Sequence, residues 1–306
     1  MSPTRLMPTV AAFYASHSVH SSPGALAAHY SDLPDDPAAL ARIARNLLIH
    51  RVEGPLFGYD IPTDRLHNDA ETRYIDDILQ LILDRDPAPL TRPRELGARF
   101  VGVCRDFALL LCSFLRHKGI PARVRSGFAD YFEPVGFHWD HMVTEYWDDG
   151  RGWLLADPEL ADPLVTEHFK VTFDPMDVPR ERFLVAGEAW RAIRTGRHDA
   201  TRFGLLLPDG PLVGKLFVAG NVRLDLAALD KVEALLWDLW GVRAETDDEM
   251  TGEVIQLFDR AAELTSGGVD SDQARELISG DDRLRVPETV LSDAPFNGPA
   301  TVTLRT

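Results

Sequence analysis

The stretch Phe100-Val-Gly-Val-Cys104-Arg-Asp-Phe-Ala-Leu-Leu-Leu-Cys112 constrains this chain more than any other. A glycine-flanked cysteine opens an apolar run. The first four N–H groups of a helix have no partner within it, and the aligned peptide dipoles place roughly half a positive charge at that end. Both features favour a thiolate, the reactive form of cysteine. Cys104 is therefore a candidate nucleophile, weighed against the plainer reading of a small buried side chain. Leu109, Leu110, Leu111, Phe114 and Leu115 are apolar over more than one face, which predicts a buried central helix from 104 to 117. Cys112 falls deep in that run and reads as a core thiol. Lys118-Gly119 supplies the glycine that ends the helix.

Upstream, Asp35-Asp36-Pro37 starts a helix whose apolar face is Leu40, Ile43, Ala44, Leu47 and Leu48. A second helix presents Ile75, Ile78, Leu79, Ile82 and Leu83 and stops at Pro87. Downstream, residues 120–128 read as a strand, with Arg123 and Arg125 on its solvated face. After a loop containing Pro134 and Gly136 come two strands, 141–147 and 151–157, joined by Asp148-Asp149-Gly150 as a three-residue turn with Gly150 left-handed. That turn pairs Trp147 with Arg151, Glu145 with Trp153, Val143 with Leu155 and His141 with Asp157. Opposed residues share a face, with Cβ atoms roughly 4.5–5.5 Å apart. A turn of any even length would separate His141 from Asp157, because strands alternate.

A cysteine at a helix start, a histidine on a strand and an aspartate on its hairpin partner form a nucleophile, base and orienter. The histidine takes the thiol proton, the aspartate holds the imidazole, and the product is a thioester that water or an amine resolves. The N–H of Cys104 is one oxyanion donor. His138 is the reserve base or a substrate contact, Trp139 beside it a second contact, and Trp153 either walls the site or packs in the core. Asp106, in the first turn, is accounted for by the helix dipole. Cys104 and Cys112 are not at a zinc spacing, so no metal and no cofactor are expected.

Gly102-Val-Cys104-Arg-Asp-Phe-Ala, Gly119-Ile-Pro-Ala-Arg-Val, His141-Met-Val-Thr-Glu145 and Gly152-Trp153-Leu-Leu-Ala-Asp157-Pro158 resemble the bacterial transglutaminase-like superfamily. The resemblance covers about 60 residues, from Val101 to Pro158. It implies an α+β fold: a papain-like core with the cysteine helix packed on an antiparallel sheet, plus helical N- and C-terminal additions. It also implies Cys104 as nucleophile, His141 as base and Asp157 as orienter. The aromatic common two residues after the histidine is Val143 here, so contacts on that strand do not carry over. Residues 217–233 are similar to an extension in such proteins that implies no chemistry.

Composition bounds the rest. The 306 residues carry a net charge of −16, which argues against nucleic acid, since phosphate binding needs a basic patch. Residues 245–306 hold 14 acidic and 5 basic side chains, so the excess belongs largely to the C-terminal stretch. Two cysteines fit a reducing compartment, and the chain shows neither a leader pattern nor an apolar run approaching the roughly 18 residues of a membrane span. A cytoplasmic protein is the expectation.

The expected organisation is an irregular segment 1–35, a catalytic core 36–200, an extension 201–264 and a poorly ordered acidic tail 265–306. Within it, helices are expected from Phe183 to Ile193, Leu224 to Trp240 and Glu249 to Leu264, and a strand at Lys215-Leu-Phe-Val. The expected activity is thiol chemistry on an amide- or peptide-containing substrate, with hydrolysis favoured. Acyl transfer to an amine is the alternative within that chemistry. A non-catalytic scaffold keeping the fold is the alternative outside it, and the intact Cys104, His141 and Asp157 set argues against that.

Overall fold

The structure is a computed structural model that describes residues 6–132, 136–242, 246–266 and 271–306. The expected loop position of Pro134 lies outside the described residues. Contacts along the backbone divide the chain into two compact units. The first comprises residues 1–124, 143–178 and 294–298; the second comprises 125–142, 179–293 and 299–306.

The first unit begins with α1 (Pro8–Ala15) and a 3-10 turn at Gly24–Tyr30, inside the segment expected to be irregular. The apolar residues of α1 are consecutive, so it carries no helical period to read, yet Tyr14 is buried. In α2 (Pro37–Leu47) the carboxylate of Asp36 accepts the Ala39 N–H at 3.0 Å, and Leu40, Ala41, Ala44 and Leu47 are buried. The start is where the sequence predicts it, and Leu40, Ala44 and Leu47 of the predicted stripe are buried; Ile43 is half-buried and Leu48 belongs to the strand that follows. This helix leads into β1 (Leu48–His50), then α3 (Thr63–Asn68) and α4 (Ile75–Arg85), whose five predicted apolar residues are all buried. β2 (Phe100–Gly102) pairs parallel with β1, placing His50 opposite Gly102. α5 (Cys104–His117) follows with the predicted bounds, buried from Cys104 to Arg116 and packed by α1, α2 and α4.

β3 (Ala122–Ala129), β4 (His138–Asp148) and β5 (Gly152–Ala156) come next; β3 and β4 each contribute residues to both units. The Thr144 hydroxyl donates to the Ala108 carbonyl at 2.8 Å, tying β4 to α5. β4 and β5 are antiparallel, but the register differs from the expected one: Trp147 lies opposite Trp153, Glu145 opposite Leu155 and Thr144 opposite Ala156. Asp148 stays in the strand, and its Oδ1 accepts the Gly150 and Arg151 N–H groups at 2.9 and 2.8 Å. The turn therefore sits one residue later, and the left-handed glycine is Gly152 (φ +87°) rather than Gly150. Each pairing slides by two residues. The turn still has an odd number of residues, so the face of every side chain is as expected.

A second correction concerns the arginines. All eight residues of β3 are buried, so Arg123 and Arg125 do not form a solvated face. In the first unit the Arg123 Nε donates to Glu145 at 2.7 Å, and its guanidinium lies 4.0 Å from the Trp153 ring centre and 5.1 Å from that of Tyr14. Their partners lie far off in sequence, so alternation alone reads both as solvated. α6 (Pro163–His168) closes the first unit's helices.

In the second unit, β6 (Phe183–Val185) pairs antiparallel with β3 and leads into α7 (Ala186–Arg194), so the helix expected from Phe183 starts three residues later. β7 (Phe203–Leu207) runs parallel to β4 and forms a hairpin with β8 (Gly210–Val213), giving the order β6–β3–β4–β7–β8. The fold is α+β, and within this sheet the β4–β7 pairing is parallel while β3–β6, β4–β5 and β7–β8 are antiparallel. α8 (Lys215–Leu229) replaces both the expected strand at Lys215 and the expected helix from Leu224 to Trp240. Its first turn is capped by Asp247, whose carboxylate accepts the Lys215 and Leu216 N–H groups at 2.8 and 2.7 Å. That cap comes from about thirty residues away, beyond any local signal.

β9 (Asp238–Leu239), α9 (Gly252–Thr265), α10 (Ser271–Gly280), β10 (Thr289–Ala294) and β11 (Gly298–Thr303) follow. β10 pairs antiparallel with β9. The stretch after 265, expected to be poorly ordered, thus carries a helix and two strands. Ala274, Ile278 and Leu284 explain this: all three bury in the core formed by Phe128, Trp190, Phe203, Val222 and Phe258.

Candidate functional site

Cys104 is the first residue of α5 and is 6% exposed; Cys112 is fully buried, a core thiol as expected. The approach to Cys104 is held just after β1, where the Arg51 N–H donates to the Gly102 carbonyl at 2.9 Å. A Cβ on Gly102 would come within 2.8 Å of Asp106 Oδ2, so this position requires glycine. Asp106 Oδ2 in turn accepts the Val103 N–H at 2.9 Å, closing the first turn of the helix. Its Oδ1 accepts from Arg105 at 3.0 Å, and Arg105 also donates to the Arg73 carbonyl at 2.6 Å. Burial pushes the Asp106 carboxyl above its ordinary range, opposed by the Arg105 charge and the Val103 N–H. Asp106 is occupied at the helix start, in agreement with its reading as a first-turn acid.

Asp157 follows the end of β5 and is 1% exposed. Its N–H donates to the Pro175 carbonyl at 2.7 Å, and its Oδ1 accepts the Glu159 N–H at 3.0 Å, capping the 3-10 turn Pro158–Ala161. The Glu159 N–H thus orients the carboxylate, while the bond to Pro175 fixes the Asp157 backbone. One further step of the observed register would put Asp157 opposite Val143, not His141.

His141 belongs to the second unit, on β4, and is 3% exposed. Its ring meets Tyr131, Phe132 and Phe183 edge-on, with centroids at 6.0, 5.1 and 6.2 Å. His138, in the same unit, lies flat on Phe203 (4.3 Å between centroids, 3° between planes) with His198 at its edge. Burial, then the His198 charge, lower its basicity. Trp139 packs edge-on against Phe137 at 5.2 Å. Trp153, in the first unit, sits under Arg123 between Tyr14 and Trp147. The first unit therefore holds Cys104, Asp157 and Trp153, and the second holds His141, His138 and Trp139.

One group lacks any signal in the sequence reading. Asp140, between Trp139 and His141, has a carboxyl pushed up to about 7 by burial, with His141 and a hydrogen bond from Asn221 pulling the other way. An acid within a strand gives no local warning that a helix about eighty residues later will cover it. Among the described residues no group of three or more His, Cys, Asp or Glu side chains is placed to hold a metal.

Residues 82–158 match the transglutaminase-like superfamily model. This segment is similar to a transglutaminase-like core. The superfamily consists generally of cysteine-dependent enzymes. The matched segment contains Cys104, His141 and Asp157. Among solved structures, a candidate cysteine protease from Cytophaga hutchinsonii shares 19% identity over 52% of this chain and 45% of its own, with a TM-score of 0.33. Red sea bream transglutaminase shares 19% identity over 84% of this chain and 37% of its own, with a TM-score of 0.30. The chain spans less than half the length of either. No relative was found among curated proteins. Among the described residues, no helix is long and apolar enough to cross a membrane.

Proposed function

We propose that this protein is a cysteine-dependent enzyme that cleaves an amide or peptide bond through a thioester, with water as the resolving nucleophile. The carrying observation is Cys104 at the first residue of a buried helix inside the transglutaminase-like segment. In this reading Cys104 is the nucleophile, His141 the base and Asp157 the orienter.

The thiolate attacks the substrate carbonyl, forming a C–S bond and an oxyanion that the Cys104 N–H stabilises. The His141 imidazolium returns a proton to the leaving amine as the C–N bond breaks. Water then attacks the thioester, His141 takes its proton, and the C–S bond breaks to release the acid and the thiolate. Asp157 suits the orienting role because the Glu159 N–H fixes its carboxylate. Trp139, two residues before His141 on β4, shares its strand face and is the favoured substrate contact. The ring contacts of His138 and Trp153 favour packing roles instead.

The test is the pH dependence of Cys104 alkylation by iodoacetamide in the wild type and in His141→Ala. Reaction already fast near pH ~6, and slowed in the variant, is expected of a thiolate–imidazolium pair. Reaction only above about pH 8, as for an ordinary thiol, or an unchanged profile in His141→Ala, overturns the reading. Adding primary amines to a turnover assay then separates the two resolving nucleophiles: an amide product in place of the acid favours acyl transfer.

A further inference from the structure

We propose that Asn297 is a deamidation site, and that its conversion to aspartate or isoaspartate releases the β10–β11 turn from α3. The proposal needs nothing from the reading of Cys104 as a nucleophile.

All the groups concerned lie in the first unit, to which residues 294–298 belong. Two side chains fasten the turn there. The Phe296 ring lies flat on the His67 ring of α3, with centroids 5.0 Å apart and 4° between planes. The Arg51 guanidinium packs on the same ring, 4.1 Å from its centre. Asn297 supplies the polar fastening: its Nδ2 donates to the His67 carbonyl at 2.7 Å and lies 3.5 Å from Glu71 Oε1. Both partners are acceptors, so the fit requires an NH₂ at this position. Phe296 keeps 48% exposure, which makes this a surface clasp that opens more readily than the core. It also covers Arg51, whose N–H holds the Gly102 carbonyl ahead of Cys104.

Deamidation requires the backbone nitrogen of the next residue to reach the asparagine Cγ. Glycine hinders this least, because it has no Cβ. The chain has asparagines at 46, 68, 221 and 297, and only Asn297 precedes a glycine. Asn297 is exposed, and a Cβ on Gly298 would meet no atom within 4 Å, so the space beside the attacking nitrogen is open. The Gly298 nitrogen bonds to Cγ, the Cγ–Nδ2 bond breaks, and ammonia leaves a succinimide. Water then opens one of the two imide C–N bonds. Breaking the bond to Cγ gives aspartate; breaking the bond to the main-chain carbonyl gives isoaspartate. Either product puts a carboxylate where the NH₂ was. An oxygen then faces the His67 carbonyl, and a second negative charge stands beside Glu71. The nearby cation, Arg51, is already drawn on by Glu71 and Asp106. The fastening becomes a repulsion.

The test has two parts. The full chain is incubated at mildly alkaline pH, and each asparagine peptide is followed by mass spectrometry with aspartate and isoaspartate resolved by chromatography. Asn297 should convert many-fold faster than Asn46, Asn68 and Asn221, and equal or slower conversion overturns the site. Release is read by proton NMR of the His67 ring, which the stacked Phe296 ring shields. Phe296→Ala marks the position of that signal without the ring. Asn297→Asp should move it most of the way there. Asn297→Gln keeps an amide and cyclises poorly, so it should stay near the wild type and resist conversion. Both substituted positions are exposed, so these variants leave the core untouched. A His67 signal unmoved in Asn297→Asp, or displaced equally in Asn297→Gln, overturns the release.

Discussion

Arg125 and Asp225, a hundred residues apart, form a two-point ion pair: Nε to Oδ1 and Nη2 to Oδ2, both at 2.9 Å, with 1% and 0% exposure. Removing one member of such a pair strands the other charge, whereas replacing both with apolar groups does not. Arg125→Ala should therefore destabilise the protein by about 3–5 kcal/mol. The double replacement Arg125→Met with Asp225→Leu should recover most of that loss. Urea unfolding of the three proteins checks the ordering.

Asp106 closes the first turn of α5 and is the acid beside the buried Arg105. Asp106→Ala should lose the turn closure, worth about 1 kcal/mol, and leave Arg105 poorly compensated at a further cost of several kcal/mol. Asp106→Asn retains an acceptor for the Val103 N–H and should be milder. Thermal denaturation ranks the two, and a larger loss in the asparagine variant would count against this account.

The two cysteines differ in place along one helix. Cys104 is at its first residue with 6% exposure, while Cys112 lies two turns inside a core with no exposure. Brief native alkylation should add one label, at Cys104, and the second only after unfolding. Peptide mass mapping reads this directly; a native label at Cys112 would mean that α5 opens readily.

The burial of Asp140 has a signature in stability. Its carboxyl sits at about 7 in the folded protein against an ordinary value of 3.8, so the folded state binds the extra proton between those limits. The contribution is fully present below the ordinary value and is lost as pH rises through about 7, with a slope of at most about 1.4 kcal/mol per pH unit. Asp140→Asn should remove that component. Stability measured across pH 4 to 7 in both proteins isolates it as their difference, and parallel curves would contradict it.

Gly127 stands where β3 meets β6, opposite Val185. A Cβ there would lie 2.2 Å from the Leu184 carbonyl oxygen, a backbone atom that cannot swing aside. Gly127→Ala should cost about 1–3 kcal/mol and loosen the β3–β6 pairing. Hydrogen exchange at Leu184 and Val185 follows that edge.

Much of the scaffold was readable from local residues. α2, α4 and α5 fall where their apolar residues predict, because a helical stripe acts over one or two turns of the same helix. α1 was missed because its apolar residues run together without a period. α8 was misplaced because its first turn is capped by Asp247 from a different part of the chain. The β4–β5 hairpin is the intermediate case. The spacing predicted a three-residue turn, but whether Asp148 lies in the turn or the strand was settled by which N–H groups its carboxylate takes.

For the candidate site the division is similar. Cys104 at a helix start and the odd length of the β4–β5 turn follow from sequence alone, because both depend on periods of a few residues. The register of the hairpin and the burial of Arg123, Arg125 and Asp140 were decided only by the tertiary structure. A side chain's dielectric surroundings and its partners come from whatever segment packs over it. For these residues those segments include a helix and carboxylates tens of residues distant, and no local pattern encodes their arrival.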